Sequence, residues 1–342
     1  INFKNLGSSL NTSHAQEILD DKFARAEISE VEYLKRKRAL NLKASEISDS
    51  DIKNAEKDEE KNVRSTRSNR NSNKNSKNLK IYNNSRTDYI EYNQTGKVKG
   101  LTNAKIREAL NLATDRKSIS QSVSEGLDGI PTGMTPAGLA KTATGGDFAK
   151  AAAKATAYAY NIKKAKKLFA EGMKEAGLKK LTLTVEATSD SSTTKPTLDT
   201  IQQSWSELPG LTVKEKYVPF KQRLQDAINQ NFDVLLTAWG ADYAEPLTFL
   251  NMFVTDGANN DGKWSNKQYD TLINNASDKD ALSDTKRTAD EIKAEKTLYD
   301  DSAVNPVDWM NAAILSNSKV KGVQYFSSGA PYYFWNAYRS KK

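Results

Sequence analysis

Between residues 181 and 239, the spacing of apolar side chains alternates between the two-residue period of a strand and the longer period of a helix. The apolar positions of the five segments are Leu181, Leu183 and Val185; Leu198, Ile201, Trp205 and Leu208; Leu211 and Val213; Phe220, Leu224 and Ile228; and the run from Phe232 to Trp239. The order strand, helix, strand, helix, strand is typical of a sheet with right-handed crossovers. The last run is short and bounded by Asn231, which favours a strand buried on both faces. The pattern therefore predicts an α/β fold.

The flanking sequence extends this predicted globular region to residues 81–342. The elements expected there are a strand over Asp88 to Gln94, a helix capped by Thr102 or Asn103, a loop over Gly126 to Gly146, a helix capped by Asn161, helices over Gln268 to Ala276 and Thr288 to Tyr299, and an apolar return over Trp309 to Val320. The tail that follows is rich in aromatic residues. A chain of 342 residues is long enough for two domains with cores of their own.

The buried strand ends in Trp239, Gly240, Ala241, Asp242 and Tyr243. In open α/β sheets, ligands bind outside the carboxyl ends of the strands, so this position favours a ligand-binding role for the Asp242 carboxylate.

An alternative assigns Asp242 to the local backbone. Asp242 followed by Glu245, with Pro246 in the first turn, also fits an N-cap and capping box for a helix over Leu247 to Phe253. The two interpretations do not exclude each other.

The phrase W-G-A-D-Y-A-E-P-x-x-F-L-N, followed by K-Q-Y-D-T-L-I, closely resembles the solute-binding receptors of oligopeptide ABC importers. The earlier phrase NAKIREALNLATDRKSI resembles the same family in the same order. The resemblance implies a lobe of the type II periplasmic-binding-protein fold. It also implies that Asp242 pairs with the α-ammonium of a bound peptide, that Trp239 lines the cleft, and that Gly240, Ala241 and Tyr243 belong to the same site.

The resemblance also implies two kinds of partner, a peptide ligand and the other subunits of an importer. An extended oligopeptide would lie in the cleft, and the receptor would deliver it to the permease and ATPase subunits of an importer. The family works at the cell surface, on the outer side of the cytoplasmic membrane, and includes lipoproteins. In this chain no secretory-signal pattern is visible in the first 15 residues, and most of the family's first lobe is expected to be missing before the crossing strand.

Residues 1–42 are predicted to form a short helical hairpin. Ile28, Ser29, Glu32, Tyr33 and Arg36 resemble the SHOCT module, a helical hairpin found at protein ends, which implies self-association through residues 16–42. The alternative is an ordinary amphipathic hairpin without a special role. The rival to peptide binding is therefore a truncated or fused protein that binds no ligand and whose hairpin mediates oligomerisation.

Residues 43–80 are dominated by Asn, Ser, Lys, Arg, Asp and Glu, and they contain few apolar side chains to offset the loss of chain entropy. This composition predicts a disordered linker. The net charge of +8 arises from intermixed basic and acidic residues, and the basic part of the linker has no aromatic side chain to stack on bases. No nucleic-acid partner is expected.

The residues that most catalytic sites require are scarce. Cysteine is absent and His14 is the single histidine, so one chain cannot assemble a cysteine nucleophile, a multi-histidine metal site or a His-based triad. Residues 257–263 match the start of a phosphate-binding loop, but Trp264 occupies the Ser/Thr position. The sequence therefore predicts a protein that is not an enzyme and needs no cofactor or metal.

Overall fold

The computed structural model describes residues 53, 76–156, 158–326, 328 and 332–340. The chain divides into two compact units, Ile1–Leu79 and Lys80–Lys342. The predicted hairpin lies outside the described residues, and so does the predicted linker apart from residue 53 and its end at residues 76–80. The second unit carries the fold that follows.

Nine strands and nine α-helices are assigned within the described residues. The strands are β1 Leu79–Tyr92, β2 Leu181–Thr188, β3 Leu211–Val218, β4 Val234–Gly240, β5 Val304–Leu315, β6 Val320–Lys321, β7 Gln324–Tyr325, β8 Tyr332–Tyr333 and β9 Tyr338–Arg339. The helices are α1 Ala104–Ala113, α2 Arg116–Ser124, α3 Phe148–Ala152, α4 Ile162–Glu175, α5 Thr194–Trp205, α6 Phe220–Ile228, α7 Leu247–Leu250, α8 Lys267–Asn274 and α9 Asp284–Asp300. The predicted order of elements between residues 181 and 239 is confirmed.

The main sheet has five strands in the order β3-β2-β4-β1-β5. β2 is parallel to both β3 and β4, whereas β1 runs antiparallel to β4. The predicted strand over Asp88 to Gln94 is confirmed as far as Tyr92, but β1 is longer and begins at Leu79, within the last two residues of the predicted linker. β6 pairs with β9 and β7 with β8, so the aromatic tail forms two short antiparallel ladders.

One face of the sheet carries a continuous apolar core. Ile90 of β1, Val185 of β2 and Val234 of β4 lie on this face and contact apolar residues of α1, α4 and α5. The caps predicted from sequence form: the Asn103 side chain accepts from two backbone N–H groups at the start of α1, and Asn161 caps α4. This face is therefore built as a helix layer on a sheet, as the hydrophobic spacing predicts.

On part of the opposite face, a second apolar cluster covers the sheet. Tyr89 of β1 packs there with residues of α7, α8 and α9 and of the loops between them. β4 is buried on both faces only at its start, because Val234 and Leu236 contact the first cluster and Leu235 a small third one. Its last residues, from Thr237 to Gly240, are half-buried or exposed.

α6 is a helix, as its sequence predicts, but its apolar stripe faces outward. Phe220, Leu224 and Ile228 are exposed, and Ile228 is 72% accessible to solvent. The buried positions include Arg223 and Asp226. The sheet beneath α6 carries charged side chains, so the polar side of the helix faces inward.

An ion network accounts for this orientation of α6. The Lys216 ammonium of β3 contacts a carboxylate oxygen of Glu186 in β2 at 2.7 Å and one of Asp226 in α6 at 3.0 Å. Glu186 is almost fully buried, and an apolar helix face placed over it would leave its charge unpaired. Charge pairing therefore sets which face of α6 is covered.

Candidate functional site

The strand order creates a crevice at the carboxyl ends of β2 and β4. α5, which follows β2, covers the face with the apolar core, whereas α6, which precedes β4, covers the charged face. β2 and β4 pair only at Val185 with Val234 and Glu186 with Leu235, and beyond these positions the two strands are no longer paired. Such a point, where chain connections leave to opposite sides of a sheet, is where α/β proteins place ligands.

The crevice has a volume of about 310 Å³. Its walls come from the ends of β2 and β4, the start of β1's buried half, and the first turns of α5 and α6. Hydroxyl groups contribute much of the lining, including those of Thr188, Ser191, Thr194, Thr197 and Thr237. A lining of apolar carbon with hydroxyl groups and a few charges suits a ligand that carries amides and charged groups.

β4 presents an unpaired backbone edge to this crevice. The Ala241 N–H donates to the Ser85 carbonyl of β1 at 2.8 Å, and residues along an antiparallel strand alternate in the edge to which their N–H and C=O groups point. Leu236, Ala238 and Gly240 therefore direct these groups away from β1. Leu236 adjoins the last pair between β2 and β4, whereas Ala238 and Gly240 face the side where β2 has separated. A side-chain atom at Gly240 would meet nothing within 4 Å, so a ligand backbone can approach closely there.

Asp242 lies directly beyond this edge. It is exposed, its N–H donates to the Thr248 hydroxyl at 3.1 Å, and its carboxylate makes no hydrogen bond or ion pair with any residue that the structure describes. The interpretation of Asp242 as an N-cap is wrong, because α7 begins after Pro246 and Glu245 accepts from the Leu247 N–H at 2.8 Å. The Asp242 carboxylate thus stays available for a ligand.

The remaining predicted site residues have different surroundings. Trp239 is half-buried and packs against the second apolar cluster, and its indole N–H is buried without an acceptor among the described residues. Ala241 is buried in the same cluster. Tyr243 is 47% exposed, and its partial burial, with the nearby Glu245 carboxylate, raises the pKa of its hydroxyl. Of the five predicted site residues, Gly240, Asp242 and Tyr243 are exposed, whereas Trp239 reaches solvent only in part.

An ion pair with α9 holds the loop that carries Asp242. The Arg287 guanidinium lies 3.6 Å from a Glu245 carboxylate oxygen and 3.9 Å from one of Glu291. Burial and the adjacent Glu245 raise the pKa of Glu291 to about 10, so Glu291 is uncharged at neutral pH. This support cannot be predicted from sequence patterns, because Arg287 and Glu291 resemble an ordinary i, i+4 pair on a solvated helix.

Charged groups inside the crevice were also not predicted from the sequence. Arg86 and Asp88 of β1 form an ion pair at 2.9 Å, and burial raises the pKa of Asp88 although Arg86 lowers it. One Asp190 oxygen accepts from the Phe220 N–H at 2.6 Å at the start of α6. Arg223, in the first turn of α6, lines the same crevice although it is only 5% exposed. An arginine in an amphipathic helix is ordinarily assigned to solvent, which is why sequence patterns miss it.

Two kinds of feature are absent from the described residues. Carboxylate side chains form no cluster there that would suit a metal ion. In the same part of the chain, no helix combines the length and apolarity needed to cross a bilayer.

Comparison with known proteins adds a family. Residues 25–261 match the sequence model of the bacterial extracellular solute-binding proteins, family 5, middle region. The match begins inside the predicted hairpin and includes the predicted linker.

The curated relatives are peptide-binding proteins by name. The chain is 43% identical over 267 residues to the dipeptide-binding protein of Lactococcus lactis subsp. cremoris (strain MG1363), a match that covers 75% of this chain and 48% of the relative. It is 30% identical over 227 residues to the dipeptide-binding protein DppE of Bacillus subtilis (strain 168), covering 65% of this chain and 40% of that protein. The chain thus spans about half the length of the curated relatives that it matches.

Solved structures show the same fold. OppA of Listeria monocytogenes bound to peptide superposes with a TM-score of 0.68 at 36% identity, over 80% of this chain and 52% of that one. The substrate-binding domain of an oligopeptide ABC transporter from Bacillus anthracis gives a TM-score of 0.71 at 28% identity, over 80% and 53% of the two chains. The periplasmic-binding-protein-like fold predicted from sequence is confirmed. Because the family match covers well over half of its residues, the chain belongs to the bacterial extracellular solute-binding proteins of family 5.

Proposed function

We propose that the crevice binds the amino-terminal part of a peptide and that the chain acts in the substrate-binding component of an ABC peptide importer. One observation carries this proposal: the unpaired edge of β4 leads directly to an exposed carboxylate, Asp242, that has no partner among the described residues. An extended chain needs such an edge, and its α-ammonium needs such a carboxylate. The names of the relatives, dipeptide-binding and oligopeptide-binding, are consistent with this ligand class.

In the proposed complex, the peptide adds a strand to β4. The N–H and C=O groups of Ala238 and Gly240 bond to the peptide backbone, which is the same for every sequence. The stretch from Leu236 to Gly240 spans about 13 Å at about 3.3 Å per residue, enough for a short peptide. This mode of binding explains how one receptor accepts many peptides.

Asp242 fixes the direction of the peptide. A hydrogen bond between two charged groups contributes about 1.5–3 kcal/mol, which corresponds to an affinity ratio of about 10 to 100. Anchoring the amino end beyond Gly240 makes the peptide run antiparallel to β4, back towards Leu236. Trp239 and Tyr243 would then bound the site around the anchored residue.

The matched part of this chain covers about half of the dipeptide-binding relative, and we expect the other half of such a protein to add contacts to the ligand. Closure of two lobes around a ligand is a common way to exclude water. The importer's permease and ATPase subunits are the proposed partners, and the outer side of the membrane is the proposed location. Self-association through residues 16–42 stays a prediction from sequence.

The test is a double-mutant cycle in which one change is made in the protein, at Asp242, and the other in the amino group of the peptide. Binding of a trialanine peptide and of its N-acetylated form is measured by two-dimensional NMR titration of the wild-type chain and of Asp242→Asn. We expect either change alone to weaken binding about 10- to 100-fold, and the second change to add little to the first, because both remove one ion pair.

Asp256→Asn is the matched control. Asp256 is exposed in a nearby loop with a φ of 58°, a conformation that asparagine also tolerates. It should leave both affinities unchanged. If acetylation weakens binding equally in the wild-type and Asp242→Asn chains, the proposed anchor is wrong.

A further inference from the structure

Arg223 is a buried cation without a polar partner in the described part of the chain. Its guanidinium donates no hydrogen bond there and forms no ion pair within 4 Å, and its Nη1 atom is buried with no acceptor. Its nearest ring contact is with Phe220, whose centroid lies 5.3 Å from the guanidinium carbon. Arginine has five N–H donors and is rarely buried unpaired, because the loss of hydration is costly.

Two carboxyl groups lie near Arg223, that of the buried Glu91 and that of the half-buried Asp261, and neither serves as its partner. Glu91 and Asp261 both lie beyond ion-pair distance, and Glu91 instead accepts from the Gly262 N–H at 2.8 Å. Burial, reinforced by Asp261, raises the pKa of Glu91 to about 8, so this group is uncharged at neutral pH. Burial also raises the pKa of Asp261, although the Arg223 charge opposes this shift. Among the described residues, the local fold therefore gives the Arg223 guanidinium no hydrogen bond and no ion pair within 4 Å.

Arg223 lies where a ligand in the crevice could contact it. Arg223 forms part of its wall, and the amino ends of α5 and α6 contribute to the same wall, where helix dipoles favour negative charge. The other charged residues of the wall are already bonded, since Arg86 pairs with Asp88 and Asp190 accepts from the Phe220 N–H. Among the described wall residues, Arg223 is the charge left without a partner.

We propose that Arg223 receives a carboxylate of the bound peptide, either an acidic side chain or the carboxyl terminus. This inference rests on the proposed function, because the distance is set by the anchor at Asp242. The wall residues Leu236 to Ala238 lie two to four positions before Gly240, about 7–13 Å along an extended chain. A peptide whose first residue lies opposite Gly240, and which runs antiparallel to β4, therefore brings its third to fifth residues to the wall that Arg223 shares.

The length of the peptide decides which of the two carboxylates reaches Arg223. In a peptide of three to five residues, the carboxyl terminus reaches the crevice, whereas in a longer peptide an aspartate or glutamate side chain does. In both cases the buried guanidinium supplies a charge-assisted, geometrically directed contact. Arg223 is then a specificity-determining residue, since backbone bonding to β4 discriminates little among sequences.

The experiment compares peptides that differ only in a carboxylate. The set is trialanine, its C-terminal amide, and tetrapeptide and pentapeptide amides with glutamate or glutamine at the third or fourth position, titrated by NMR. We expect the wild-type chain to bind trialanine about 10- to 100-fold more tightly than its amide, or a glutamate amide more tightly than its glutamine counterpart by the same factor. The pair that differs identifies the source of the carboxylate.

Arg223→Met should abolish that preference while leaving the affinity for the neutral amides unchanged, and Arg223→Lys should retain part of it. Lys195→Met is the matched control: Lys195 lies on the exposed surface of α5, paired with Asp199 at 2.7 Å, and its loss should not change the preference. Thermal unfolding without peptide verifies that each variant is folded. The comparison within the wild-type chain does not depend on any variant.

Three results would overturn the inference. Equal binding of all matched peptides by the wild-type chain, or a preference that survives in Arg223→Met, would each show that Arg223 receives no ligand carboxylate. In both cases a retained coupling between Asp242 and the peptide amine would leave the proposed function standing. Absence of binding by every peptide would overturn both proposals.

Discussion

The carboxyl group of Glu91 should make the protein less stable as the pH rises towards neutrality. Glu91 lies on β1 beneath α6, is 1% exposed, and accepts one hydrogen bond from Gly262 while its other oxygen has no partner among the described residues. Burial raises its pKa most, the Asp261 carboxylate adds to this, and Gly262, Arg223 and Tyr89 oppose it. The net result is a pKa of about 8, against an ordinary value of 4.5.

The sign and size follow from proton linkage. Between the two pKa values the unfolded chain has released a proton that the folded chain still holds, so the free energy of unfolding falls as pH rises. With about 1.4 kcal/mol per pKa unit, the loss from this group is about 1 kcal/mol at about pH 5, about 3 kcal/mol at about pH 7, and close to 5 kcal/mol at higher pH. A neutral side chain of the same shape avoids this loss.

Glu91→Gln should therefore be more stable than the wild-type chain by a margin that grows with pH. Glutamine keeps an acceptor for the Gly262 N–H, so the two chains should differ by about 1 kcal/mol at about pH 5 and by about 3 kcal/mol at about pH 7. Urea unfolding followed by circular dichroism at several pH values measures this difference.

The control for this series is Glu207→Gln, at an exposed carboxylate paired with Lys166, which should change stability by less than about 1 kcal/mol at each pH. Stability curves of the wild-type and Glu91→Gln chains that run parallel from about pH 5 to about pH 8 would refute the reasoning, because they would show that burial does not keep Glu91 protonated.

Two further substitutions test the packing. Gly172→Ala in α4 should lower the unfolding midpoint, because the added carbon would lie 2.8 Å from a side-chain carbon of Ile106 and 3.0 Å from its backbone nitrogen. The resulting strain of about 1–3 kcal/mol should exceed the gain of about 1 kcal/mol in helix propensity. A raised midpoint would contradict the close approach of α1 and α4. Ile228→Lys should change the free energy of unfolding by no more than about 0.5 kcal/mol, because Ile228 is exposed; a loss of several kcal/mol would show that the apolar stripe of α6 is covered.

The sequence predicts the apolar side of the fold well because hydrophobic spacing reports burial in apolar surroundings. Leu198, Ile201 and Trp205 were expected on one helix face, and all three are fully buried in the first cluster. Asn103 and Asn161 were recognisable as caps because a cap depends on its own and the next few residues. Local chemistry and apolar periodicity thus suffice for this layer.

The charged side of the fold could not be predicted in this way. Periodicity assigns the stripe of Phe220 and Ile228 to the interior, but which face of α6 is covered depends on Lys216, whose partners are 30 and 10 residues away along the chain. The same limitation applies to the crevice, since its volume arises where β2 and β4 stop pairing, and no residue pattern marks that position. Only Asp242 had a local signal, and its cap interpretation competed with the ligand interpretation.

The orientation of α6 and the unpaired arginine have one cause. Arg223 and Asp226 lie three residues apart, so they share a helix face, and Lys216 draws that face inward through Asp226. Arg223 is buried as a consequence, at the end of α6 nearest the carboxyl ends of the strands, where the protein supplies it with no carboxylate at ion-pair distance. A helix held by apolar contacts would have placed both residues in solvent. The ion network beneath α6 therefore gives the crevice a cation that is desolvated before a ligand arrives, and a desolvated cation discriminates carboxylates from amides more strongly than an exposed one.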